Sequence, residues 1–120
     1  MEKKISEQFL YDFYGELLTK KQKRVLDYYY FDDYNPSEIA TLMDMTRQGV
    51  YDLIKRSRVT MNDFEKKLKL VQRFRNFSHL LEDLNEDIDV VIQENRSDHP
   101  EIIKDLMDIK LKIQAINDNF

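Results

Sequence analysis

The sequence predicts an all-α protein, and three observations lead there. Two Gly and two Pro among 120 residues leave few places for tight turns or hairpins. Leu, Lys, Glu, Asp and Ile are plentiful, a composition that favours helices. Helix-start signals at Thr19, Asn35 and Thr46 are each followed by apolar side chains at helical spacing. The length suits one modest core with an appendage and is too short for two ordinary domains.

The first helix is expected over about Ile5 to Leu18. Ile5, Phe9, Phe13 and Leu17 stand four apart, with Leu10 and Tyr14 beside them, and such a stripe needs a partner to bury it. Thr19-Lys20-Lys21-Gln22 reads as a capping box, in which the Thr hydroxyl accepts from a free amide and Gln22 reaches back. The helix it starts carries Val25, Leu26 and Tyr29 inward and ends near Asp32-Asp33. Asn35-Pro36-Ser37-Glu38 is the sharpest boundary: Asn at N-cap, Pro where no amide is needed, Glu at N3. The helix that follows is brief, with Ile39, Ala40 and Leu42 inward, because Thr46 caps another after Met43-Asp44-Met45. From Thr46 one long helix is expected to run past Leu53 and Ile54 into Phe64, Leu68 and Val71. Two short helices, a three-residue turn and a longer third element make a helix-turn-helix, the motif falling at about 35–57 within a domain of residues 1–75.

Residues 76–120 show heptads: Phe77, Leu81, Leu84, Ile88 and Val91, then Ile102, Leu106, Ile109, Ile113 and Ile116. The turn cluster Asn95 to Pro100 separates them, so this part is expected to form an acidic amphipathic helical hairpin. The seams either fold back on the first helix to complete a monomer or pair two hairpins in a two-fold dimer. The dimer is the expectation adopted, because it sets two recognition helices roughly 34 Å apart, the spacing of successive major grooves.

Charge divides the chain the same way. Residues 1–75 carry 15 basic and 12 acidic side chains, whereas residues 76–120 carry 4 and 11. Within residues 46–75 nine basic residues face three acidic ones, so phosphate contact belongs there. A helix entering the major groove needs apolar positions toward its own domain, supplied by Val50, Leu53 and Ile54, and polar positions facing out. Arg47, Gln48, Tyr51 and Lys55 are the base-reading candidates: Arg47 suits a guanine edge, Gln48 an adenine edge, Tyr51 a thymine methyl or a sugar. Thr46, Arg56 and Arg58 are the phosphate-contacting candidates, Thr46 with the free amides of the helix start.

With these residues in view, the chain resembles the region-4 helix-turn-helix of bacterial sigma factors and, more closely, the small YlxM family. The resemblance rests on Leu18-Thr19, Gln22, Tyr29-Tyr30, Asp33-Tyr34, Glu38-Ile39-Ala40, Thr46-Arg47-Gln48, Val50-Tyr51 and Lys55-Arg56. It covers about residues 9 to 70, and the Arg-Gln-x-Val-Tyr run is its most specific part. It implies a cytoplasmic bacterial protein encoded beside signal recognition particle genes, regulatory or accessory to that pathway, without catalytic activity. The chain departs from the usual motif at Asp44, where Gly is common, at Gly49, where Ala is common, and at Asp52, a carboxylate on or near the outward arc.

Other chemistries find little support. Without cysteine there is no disulfide, thiolate nucleophile or Cys-based zinc site, which suits a reducing cytoplasm. The N-terminus lacks an apolar core of a secretion signal, and no run is long enough to span a membrane. Glu82, Asp83, Glu86, Asp87 and Asp89 lie along a helix without calcium-loop spacing and read as a solvated face. The only imidazoles, His79 and His99, stand in no metal-ligand spacing, and no Gly-rich loop cradles a nucleotide. The expectation is therefore a non-enzymatic, cofactor-free and metal-free regulator, a homodimer on double-stranded DNA that takes no small-molecule substrate and inserts in no membrane. The alternative is an accessory protein that binds the protein or RNA of the signal recognition particle and keeps the helix-turn-helix as scaffold.

Overall fold

The computed structural model describes residues 2–119, with side chains from Ser6 onward. The elements are α1 (Glu2–Tyr14), a 3-10 turn (Gly15–Leu17), α2 (Lys20–Tyr30), α3 (Pro36–Met43), α4 (Arg47–Leu68), α5 (Leu70–Asn95), a second 3-10 turn (Pro100–Ile102) and α6 (Ile103–Asp118). No strand occurs among the described residues. They fall into two compact units, Met1–Val71 and Gln72–Phe120.

The helix starts follow the local chemistry. Thr19 Oγ1 accepts from the Gln22 amide at 3.2 Å while Gln22 Oε1 accepts from the Thr19 amide at 2.9 Å. Asn35 and Glu38 repeat the exchange ahead of α3, at 2.8 and 3.2 Å, with Pro36 in the first turn. Each pair satisfies donors that a helix end leaves free. Helix α3 stops at Asp44, which takes the left-handed conformation (φ 52°), and Thr46 Oγ1 then caps α4 by accepting from Gly49 at 2.9 Å.

The first unit buries Tyr11, Tyr14, Leu18, Val25, Leu26, Tyr30, Ile39, Ala40, Val50, Ile54, Met61 and Val71. This corrects the expected stripe on α1: Phe9 is 39% and Leu17 59% exposed, while the inward arc runs Glu7, Tyr11, Tyr14 and Leu18. Ile5, the first member of the expected stripe, has its side chain outside the described part. Tyrosine occupies the arc because its hydroxyl finds a partner there. Tyr11 donates to Asp27 on α2 at 2.7 Å, Tyr14 to Glu65 on α4 at 2.6 Å, and Tyr30 back to Glu7 on α1 at 3.2 Å. Three buried phenols thus join three helices through three carboxylates, of which Glu7 is buried, Glu65 half-buried and Asp27 exposed, and each phenol gains the acceptor its own burial requires. On α2 the fully inward ring is Tyr30, with Tyr29 half-buried; on α3 Leu42 points out, 51% exposed, and Met43 takes part in the core instead.

The long helix expected from Thr46 is two helices. Lys69 is left-handed (φ 56°) and its amide closes α4 on the Glu65 carbonyl at 2.8 Å. The amides that open α5 are capped from the core: Leu70 donates to the Tyr14 hydroxyl at 3.1 Å and Val71 to Glu65 Oε1 at 3.0 Å. A tertiary contact thus does here what a sequence-local cap does elsewhere.

In the second unit α5 and α6 face each other across the 95–102 connection. Lys110 pairs with Asp89, and Asn85 shares a concavity with Lys110 and Gln114, so residues equally far from the turn meet. Leu81, Ile92 and Ile113 are buried; Leu84, Val91, Ile109 and Ile116 of the expected seams remain exposed. Ile92 lies outside the expected heptad, and the seam it makes with Leu81 and Asn85 is rotated from the one the spacing suggested.

Candidate nucleic-acid interface

Helix α4 is amphipathic because Val50, Ile54, Ser57 and Met61, spaced by four, three and four, occupy one arc and are buried. Ser57 is tolerated there because its hydroxyl donates to the Leu53 carbonyl at 2.7 Å. Everything polar in the first turns is thereby turned outward: Thr46, Arg47, Gln48, Tyr51, Asp52, Lys55 and Arg56 are all exposed. Helix α3 packs against α4 behind this face, and the short turn through Asp44 sets their crossing.

The exposed side chains are organised in pairs. The Arg47 guanidinium lies 5.6 Å from the centre of the Tyr51 ring, with Nη2 3.5 Å from the Tyr51 hydroxyl. One residue on, Gln48 Nε2 donates to Asp52 Oδ1 at 3.0 Å. Gln48, Tyr51, Asp52 and Lys55 line one side of a groove of about 440 Å³ whose other wall includes Tyr29 of α2 and Pro36 of α3. Lys55 and Arg56 border a second concavity further along the helix, with Val59 and Thr60. Four of the base-reading and two of the phosphate-contacting candidates therefore share one face of α4.

Arg58 does not join them in the same way. Its Nη2 donates to Glu7 Oε2 at 3.2 Å, and its Nε stands 2.6 Å from Glu7 Oε1 as an ion pair without a directed hydrogen bond. Glu7 is buried, so the guanidinium balances an anion that water cannot reach. The charge is spent within the fold, and Arg58 reaches the groove only as part of its wall. Sequence reasoning missed Glu7; the signal was present in its helical spacing with Tyr11, Tyr14 and Leu18, but a carboxylate is not counted as inward without a visible partner.

Among the described residues no three His, Cys, Asp or Glu side chains are grouped to hold a metal ion, and no helix is long and apolar enough to cross a membrane. An all-helical chain with α3, a tight turn and an outward-facing polar start of α4 defines the class of helix-turn-helix proteins. Within that class the chain belongs to the UPF0122 family, helix-turn-helix proteins of the YlxM / p13-like kind, whose model matches residues 1–106. It is 41% identical over 108 residues to a UPF0122 protein of Thermoanaerobacter sp. (strain X514), covering 90% of this chain and 91% of the relative. A UPF0122 protein of Geobacillus sp. (strain WCH70) is 39% identical over 112 residues, covering 92% and 99%. One of Acetivibrio thermocellus is 38% identical over 118 residues, covering 98% and 86%.

Proposed function

We propose that the protein is a cytoplasmic, non-enzymatic DNA-binding regulator that lays the N-terminal half of α4 in the major groove of double-stranded DNA. The observation that carries this is the clustering of Arg47, Gln48, Tyr51 and Lys55 on the exposed arc of α4, opposite its buried Val50, Ile54, Ser57 and Met61. Arg47 and Gln48 meet base edges first, Tyr51 and Lys55 one turn behind, and Thr46 with Arg56 engages the flanking phosphates. Arg58, committed to Glu7, contributes by fixing α4 on α1. The hairpin pairs two copies through its exposed apolar side chains, among them Leu80, Leu84, Val91 and Ile109, for two half-sites one helical turn apart.

Selection from a random double-stranded pool at about 150 mM salt tests the proposal, with Arg47→Ala/Gln48→Ala as control. A recurrent, two-fold sequence absent from the control selection is expected. Failure to enrich beyond the control would remove base reading and leave a second reading, an accessory role on the signal recognition particle. The exposed apolar side chains of the acidic hairpin favour that reading by offering a surface to a protein partner. Pull-down of the particle by the purified full chain is its test.

A further inference from the structure

Asp52 is the one residue of the exposed face whose charge is wrong for DNA. It stands among Gln48, Lys55 and Arg56, where a carboxylate repels phosphates. Yet one of its oxygens is occupied: Oδ1 accepts from the Gln48 side chain at 3.0 Å. A carboxylate has no hydrogen to give, so the Gln48 atom facing it must be the amide nitrogen. The contact thereby decides which way round the Gln48 amide sits. Its remaining groups, one N–H and Oε1, are the donor and acceptor that the major-groove edge of adenine takes through N7 and N6. Rotation of the free amide by half a turn would exchange them and present oxygen to N7.

Resting on the groove-reading proposal, we propose that Asp52 is a specificity-determining positioning residue, which orients the Gln48 amide for an adenine edge and touches no base itself. Tyr51 holds Arg47 in the same register one position earlier. The two leading readers of the face, Arg47 and Gln48, are then each steadied by the residue one turn on, and the carboxylate gives up some general affinity in return for a preset reader.

The experiment measures binding of the full chain to the selected duplex and to duplexes changed at the base pair whose preference Gln48→Ala abolishes. Wild type, D52A, D52N, Q48A and Q48A/D52A are compared, with circular dichroism confirming unchanged helicity. Asn removes the charge but can turn either its oxygen or its N–H groups toward Gln48, so it no longer fixes which way round that amide sits. D52A is expected to lose roughly twofold of the discrimination at that pair, the factor that an exposed side-chain pair one helical turn apart is worth. D52N, which admits both orientations, is expected to lose a similar share, and D52A to cost nothing further in the Q48A background. Equal discrimination in D52A, D52N and wild type, with both variants merely binding all DNA more tightly, would reduce Asp52 to a repelling charge and overturn the proposal. A further loss in Q48A/D52A would make Asp52 a direct reader and overturn it equally. A wild type without sequence preference, unaffected by Q48A, would refute groove reading itself and this assignment with it.

Discussion

Glu7 and Arg58 show how a residue's role depends on what surrounds it. The carboxylate is buried and the guanidinium keeps partial access to solvent, so the pair tethers α1 to α4 at the desolvation cost of one fully enclosed charge. Removing one partner leaves the other uncompensated: Arg58→Met is expected to destabilise the fold by about 3 kcal/mol in urea unfolding, and Glu7→Gln/Arg58→Met, which keeps an acceptor for Tyr30 without the charge, to recover most of that loss. A phosphate-binding role for Arg58 predicts instead a salt-dependent loss of DNA affinity with little change in stability. The buried phenols give a second prediction at this scale. Burial, followed by the neighbouring carboxylates, raises Tyr11 (Asp27), Tyr14 (Glu65) and Tyr30 (Glu7) above the ordinary phenol value near 10. The folded state then holds protons that the unfolded chain releases. Their contribution to stability is complete below about pH 10 and declines as pH rises through the folded values. Absorbance titration at about 295 nm, run beside circular dichroism, is expected to show these three of the seven tyrosines ionising only as helicity is lost.

At the scale of elements, the starts of α2, α3 and α4 were legible because each cap lies within four residues of the amides it serves: Thr19 with Gln22, Asn35 with Glu38, Thr46 with Gly49. The break at Lys69 was not, because its caps come from Tyr14, more than fifty residues earlier, and from Glu65, which looks like any solvated helix carboxylate. Asp44 and Lys69 both hold left-handed angles that a Cβ disfavours, so Asp44→Gly and Lys69→Gly are each expected to raise stability by about 0.5–1 kcal/mol in urea titration. Tyr14→Phe is expected to lower it by about 1–2 kcal/mol, since the α5 amide at Leu70 and the Glu65 carboxylate both lose a partner. Gly49 needs no positive φ; a Cβ there would meet Thr46 Oγ1 at 3.0 Å, so Ala would gain helix propensity and press on the cap together.

For the whole molecule, the proposed two-fold pairing rests on the exposed apolar side chains of the hairpin. Leu80, Leu84, Val91, Ile109 and Ile116 are exposed, while only Leu81, Ile92 and Ile113 are buried among the described residues of that unit. Sedimentation equilibrium at tens of micromolar is expected to return twice the 14.6 kDa chain mass, and the monomer mass would remove the two-fold arrangement. The sequence by itself determined the all-helical class, the cap-defined starts, the helix-turn-helix and the polar face from Thr46 to Arg56. These depend on interactions within about one helical turn and on a 3.6-residue period, both visible along the chain. Only the tertiary structure decided that α1 buries Glu7 and two tyrosines while Phe9 stays exposed and Phe13 half-buried, that Arg58 belongs to Glu7, and that α4 ends at Lys69. Each of those outcomes depends on a partner distant in sequence, which makes a polar group cheap to bury or caps a helix from outside, and no local pattern records where that partner will stand.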